Sequence, residues 1–194
     1  MTQFIEVTCK YFNSPGPKNT AELLALALQR SLELGLKKVL VATSTGRTVE
    51  ELLKVMKPGT LEVVAVSYVV GFKQPGQRAL PVEAQESLES KGVRVLTAAH
   101  ALSGVGKGVA SALGGTHPGE IVAQSLRMLS QGVKVGVEIA LMAADAGLVT
   151  PDEEVLTITG TGRGADTALI VKPANSHKVF DLKVLEVLAK PRQG

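Results

Sequence analysis

The stretch EVLTITGTGRGADTALIVKP, residues 154–173, holds two apolar, β-branched runs separated by only seven residues, GTGRGAD. Each run reads as a buried strand. A parallel crossover needs about a dozen residues or more, so these two strands must be antiparallel neighbours. Outward from them the chain alternates short Val/Ile/Leu-rich runs with longer helical patterns, the signature of a sheet covered on both faces. The other strands are FIEVTCKYF (4–12), KVLVAT (38–43), LEVVAVS (61–67) and VRVLTAA (93–99). The expected fold is an α/β, three-layer α/β/α sandwich. Its sheet is mostly parallel, with the last strand antiparallel at one edge.

Helices are predicted over 19–35, 48–57, 81–91, 118–130, 133–147 and 180–189. The first two start at capping-box spacings, Asn19 with Glu22 and Thr48 with Glu51. GFKQPGQRALP, 71–81, is too rich in Gly and Pro for regular structure and reads as a surface loop. With no internal repeat or long linker, the 194 residues are expected to form one domain, 1–194.

Composition narrows the function. The chain is 45% hydrophobic and 20% charged, which describes a globular protein. Its net charge is +3, but aromatics make up only 3% and no Lys/Arg run exists, so nucleic acid is not an expected partner. VGVEIALMAADAGLV (135–149) is interrupted by Glu138 and Asp145 and reads as a buried helix, not a membrane span. The start, MTQFIEVTCK, has no signal-peptide pattern, and the single Cys9 reads as a small strand residue. The expected location is cytoplasmic.

Two loops carry the chemistry. TSTGR, Thr43–Ser44–Thr45–Gly46–Arg47, stands where a strand gives way to a helix beginning near Thr48. Strand ends of this kind bind ligands in open parallel sheets, and the free N–H groups of a helix start attract anions. Gly46 permits close approach, the hydroxyls add donors, and Arg47 can grip two oxygens at once. A capped turn with an exposed arginine explains this stretch equally well. GTGRG, Gly160–Thr161–Gly162–Arg163–Gly164, repeats the composition after another strand, which favours one shared phosphate site. It is no dinucleotide fingerprint, because the spacing is wrong and a strand follows where a helix is required. SGVGKG (103–108) fails as a Walker A loop: Ala101 stands where a glycine belongs and Gly108 where Ser or Thr would hold magnesium. Its glycines read as loop or helix-start residues, with Ser103 and Gly104 still able to line a ligand.

His100, His117 and His177 are too scattered for a metal site, and no GxSxG motif supports a hydrolase triad. His100 follows a strand and belongs at the same sheet edge as the loops. Tyr68 reads as core, whereas Phe72 reads as exposed and able to cover a flat ring. Glu138 reads as a polar-face residue of its helix, with an inward-facing role as the alternative.

KVLVATSTGRTVEELLKVMKPGTLEVVAVS (38–67) and EVLTITGTGRGADTALIVKP resemble the C-terminal domain of pyruvate kinases, and the whole chain resembles stand-alone proteins built on that domain. The resemblance implies a sheet with an antiparallel last strand and a phosphorylated ligand between the two loops. Some such relatives are associated with FMN, which implies FMN as the cofactor here. Arg47 and Arg163 would hold the phosphate with Ser44 and Thr45, while Phe72, His100 and Ser103 approach the ring. The pyruvate kinase barrel has no counterpart, so that activity does not transfer. Two roles stay open: a flavin-dependent oxidoreductase, or a non-catalytic sensor of a sugar phosphate or nucleotide. The apolar 135–149 helix is either core or a homo-oligomer interface.

Overall fold

The computed structural model describes residues 4–193. Its elements run β1 (Lys10–Phe12), α1 (Thr20–Glu33), β2 (Lys38–Ala42), α2 (Arg47–Val55), β3 (Glu62–Ser67), α3 (Val82–Glu89) and β4 (Arg94–Thr97). There follow α4 (Gly104–Leu113), α5 (Pro118–Arg127), α6 (Gln131–Asp145), β5 (Val155–Thr159), β6 (Thr167–Lys172) and β7 (Lys183–Pro191). The strands form one sheet in the order β1-β7-β6-β5-β2-β3-β4.

Why these residues make these layers is plain from the pleat, because alternate strand residues face opposite sides. Val39, Val41, Ala65 and Ile158 point to one face and meet Leu23 of α1, Leu52 of α2 and Leu88 of α3. Leu40, Val64 and Leu169 point to the other and meet Ala140 and Ala143 of α6. α5 packs outside α6, where Val137 and Leu141 meet Leu102 and Ala123. The α/β/α sandwich is therefore present. So is the antiparallel β5–β6 pair required by the short loop, with Val155 opposite Val171 and Thr159 opposite Thr167.

The reversed strand is not at the edge, however. β7 pairs antiparallel with β6, and β1 pairs parallel with β7, so β6 is an interior strand running against its neighbours. Residues 180–189, expected as helix, belong mostly to β7. The cause is visible in the register: Leu169 faces Val187 while Ala168 faces Ala189, and Val171 faces Val184 while Ile170 faces Glu186. Leu188 and Leu185 are thus the extra residues of two irregularities. They turn a period of two into the pattern Val184–Leu185–Val187–Leu188, which has helical spacing.

Three smaller expectations also change. Only Lys10–Phe12 of the 4–12 run is strand. Residues 104–113 form α4, whose side chains are all at least partly exposed. Neither capping box forms: the α1 N-cap Asn19 makes no side-chain cap bond, the α2 N-cap is Gly46 and not Thr48, and Glu51 pairs with Arg47 instead. The 135–149 helix is core, since nearly every residue of α6 is buried within the chain. Among the described residues no helix is long and apolar enough to cross a membrane.

α6 lies unusually close to the sheet. A Cβ on Gly132 would overlap Thr167 Oγ1 and Cβ, and one on Gly136 would stand 2.7 Å from Leu169 Cδ1. Thr159 Oγ1 donates to the Gly132 carbonyl at 2.7 Å, so the helix is tied down at the same point. The start of α6 is thereby fixed at the carboxyl end of β5 and the amino end of β6.

Candidate functional site

Strand order reverses between β2 and β5. From β2 the chain steps outward through α2 to β3 and α3 to β4, then returns through α4, α5 and α6 to place β5 on the other side of β2. The crevice outside such a reversal is where ligands bind in open α/β sheets. Val41 of β2 sits opposite Ile158 of β5, so the 43–47 and 160–166 loops leave neighbouring strands at the same edge, about 4.8 Å apart.

The first loop turns tightly. Thr43 Oγ1 accepts from Gly46 N–H at 2.9 Å, and Gly46 takes the left-handed conformation, φ 83°. Gly46 is covered by Leu80, Ala84 and Leu88, so the loop rests on α3. Thr43 and Thr48 are buried, Ser44 is half-buried, and Thr45 is exposed. No side chain caps α2, which leaves its first amides free for a ligand. The Arg47 side chain is 81% exposed and, among the described residues, pairs only with Glu51, at 3.2 Å.

The second loop is tied to a segment that sequence reasoning does not connect with it. Asp166 is fully buried, and its Oδ2 accepts from Thr161 N–H at 3.1 Å and from Gly16 N–H at 3.0 Å. Ala165 N–H donates to Thr20 Oγ1 at 2.9 Å. Gly164 has φ 71°, and a Cβ there would stand 2.7 Å from Pro17 Cβ. Residues 14–20 therefore strap the loop from outside. Gly160 and Gly164 serve that packing: a Cβ on Gly160 would stand 2.6 Å from the Gly164 carbonyl oxygen. Gly162 and Arg163 are exposed at the tip, and Thr161 Oγ1 is shielded from solvent without a partner. The Thr161 and Gly16 amides are spent on Asp166, which leaves the Arg163 guanidinium and the Thr161 hydroxyl as side-chain donors with no partner among the described residues.

Beyond β2, the ends of β3 and β4 carry an aromatic cluster. The rings of Tyr68 and Phe72 lie 5.1 Å apart, Phe72 and His100 4.9 Å, and Tyr68 and His100 5.7 Å. Phe72 and His100, read from sequence as one side of a site, are thus in contact, and Tyr68 completes the cluster instead of entering the core. Phe72 is 49% exposed. Ser103 closes the following turn, its N–H donating to the His100 carbonyl at 3.3 Å, and Gly104 starts α4.

Behind this cluster stands a pair of residues of which sequence reasoning singles out only Glu138. Lys134 and Glu138 lie one turn apart on α6, are 6% and 5% exposed, and form an ion pair. Glu138, read from sequence as a polar-face residue, is instead interior, because the turn before α4 folds over it: Leu102 N–H donates to its Oε1 at 3.2 Å. The i, i+4 spacing of opposite charges is the one signal the sequence offered. Burial pushes the His100 imidazole below its ordinary 6.5; Glu138 opposes this, while Lys134 and Lys107 reinforce it. A proton NMR titration should therefore show the His100 ring still neutral where a free imidazole is half-protonated. A midpoint at or above the ordinary value would mean that the ring is less withdrawn from water than described.

His117 and His177 stand elsewhere, the first at the start of α5 against Gly106 and the second beside Asp145 at the end of α6. Among the described residues no group of three or more His, Cys, Asp or Glu could hold a metal ion.

The edge thus combines two arginine loops on adjacent strands, an uncapped helix start and a ring cluster one strand further on. When the chain is compared with models of protein families, that of the pyruvate kinase alpha/beta domain matches residues 21–171, spanning α1 to the end of β6 with both loops inside it. With that match covering most of its 194 residues, the chain belongs to the pyruvate kinase alpha/beta domain family.

Proposed function

We propose that the carboxyl edge of the sheet binds a phosphorylated small molecule, FMN, with its phosphate at the arginine loops and its ring on the aromatic cluster. The observation that carries this reading is the uncapped start of α2, set between Arg47 and Arg163 on neighbouring strands. Free helix-start amides favour a negative charge, and guanidinium forks match phosphate oxygens. Ser44, Thr45 and Thr161 add hydroxyls. The Arg47–Glu51 pair does not compete seriously, because an exposed i, i+4 ion pair is worth only a few tenths of a kcal/mol.

Distance favours an elongated ligand. From the end of β5 to the end of β4 is three inter-strand steps, about 14 Å. A bare phosphate cannot occupy both ends of that edge, whereas a nucleotide with a flat ring can. Phe72 and His100, with Tyr68 behind them, offer the ring a partly exposed apolar face, and Ser103 and Gly104 stand at its rim. When bound, FMN supplies hydride and electron transfer through its own ring, and the protein contributes position and electrostatics.

Flavin fluorescence titration tests the reading. FMN should bind at least about tenfold more tightly than riboflavin, because charge-assisted hydrogen bonds contribute roughly 1.5–3 kcal/mol each. Equal affinities would remove the phosphate from the arginine loops. A sugar phosphate or a non-flavin nucleotide binding as tightly as FMN would make the protein a sensor instead. Mass spectrometry of the small molecule released on denaturation separates these outcomes for the protein as purified.

A further inference from the structure

The Lys134–Glu138 pair has no structural explanation in the fold. Both side chains are withdrawn from water on α6, nearly all of which is buried, where taking two charges out of solvent offsets most of their mutual attraction. Apolar side chains of similar volume would fill the same space without that cost. Glu138 is fully used: one oxygen meets Lys134 and the other accepts from Leu102 N–H. Lys134 is not. Its ammonium has three donors, and among the described residues it hydrogen-bonds only to Glu138. Unspent donors on a side chain 8% exposed are expensive to leave unmade, and they are ready for an acceptor that brings no water with it.

Position says which acceptor. Lys134 lies in the first turn of α6, and Gly132 holds that turn against the carboxyl end of β5. Its charge acts on the imidazole of His100, whose ring touches both Tyr68 and the half-exposed Phe72. Through Glu138, which accepts from Leu102 N–H, the ammonium is therefore tied to the turn that follows His100 and the aromatic cluster.

We propose that Lys134 is a ligand-binding residue of a ring subsite, donating its free N–H groups to a carbonyl oxygen on the polar edge of a flat, conjugated heterocycle that lies against Phe72 and His100. Glu138 is its positioning residue, holding the ammonium in place and fixing the 100–103 turn through Leu102. A positive charge at the edge of such a ring also stabilises negative charge on it, one of the ways a protein tunes a bound ring. This subsite rests on the ligand reading above, but it is separable from it, because the phosphate and the ring are held by different residues.

The test uses FMN and riboflavin on the full chain. Lys134→Met alone would strand a buried carboxylate, so the informative variant is Lys134→Met/Glu138→Gln. It removes both charges and leaves an amide oxygen for Leu102 N–H. The melting temperature without ligand should hold. Both flavins should bind about tenfold more weakly, by the same factor, so that the FMN-to-riboflavin preference is unchanged. Arg47→Ala should do the reverse, weakening FMN and leaving riboflavin untouched. If wild-type protein binds FMN and the double variant binds it equally well, the ring subsite is wrong and the phosphate site stands. If the variant loses FMN but not riboflavin, Lys134 serves the phosphate and the subsite is equally overturned. If wild-type protein binds neither flavin, both readings fall together.

Discussion

Gly132→Ala should unfold the protein at a clearly lower temperature, while the same substitution at Gly108 should not. Both glycines lie inside helices, where alanine is intrinsically better by about 1 kcal/mol. At Gly108 a Cβ meets nothing within 4 Å, so the propensity gain is unopposed and the melting temperature should hold or rise slightly. At Gly132 the Cβ would overlap the Thr167 side chain, which is fully buried on β6. The helix cannot lift away cheaply, because Thr159 Oγ1 is bonded to the Gly132 carbonyl. Overpacking of this kind costs about 1–3 kcal/mol after relaxation, and more where the obstacle is held by backbone. With roughly 2–4 °C lost per kcal/mol in a chain of this size, a fall of about 2–12 °C is expected in a thermal scan. An unchanged melting temperature would mean that α6 does not sit on the sheet as described. The position of Lys134 would then lose its support.

That contrast also shows where the sequence was legible. Strand–helix alternation and the seven-residue GTGRGAD loop were enough to place the sandwich and the β5–β6 pair, because chain length leaves a short loop no parallel alternative. β7 was not legible. Its irregular register with β6 imposes apolar residues at 184, 185, 187 and 188, and only the partner strand distinguishes that spacing from a helix. The reversed strand was placed at the edge for the same reason, since a missed β7 leaves β6 without an outer neighbour. Local capping patterns misled as well: Glu51 has the right spacing to cap but finds Arg47, and Glu22 finds Lys10.

At the site, the two arginine loops could be read directly because their glycines, hydroxyls and charges are contiguous in the chain. Asp166 and Gly16, or Glu138 and Leu102, are partners across 150 and 36 residues and leave no local trace. Phe72 and His100 were legible as residues following strands, but their contact depends on β3 and β4 being neighbours. Sequence could name the pieces of the edge more readily than the order in which the strands set them out.

The largest effect on ligand binding should come from Arg47 and Arg163 together. Each Ala substitution should weaken FMN about ten- to a hundredfold, the worth of a charge-assisted hydrogen bond or a bidentate pair. The loops leave strands paired at Val41 and Ile158, so two long guanidinium side chains can converge on one phosphate. Residues that share a partner are not independent, and the double variant should therefore cost less than the sum. Arg192, exposed near the C-terminal end, is the control and should change little. Arg47→Lys should restore only part of the affinity, since an ammonium cannot reproduce the planar fork. Glu51→Gln should tighten binding slightly by freeing Arg47 from its ion pair. None of these exposed positions should move the melting temperature without ligand, which separates lost binding from lost structure. Strict additivity would put the two arginines in different sites. Full affinity in both single variants would leave Thr43–Arg47 as a tight turn that starts a helix and nothing more.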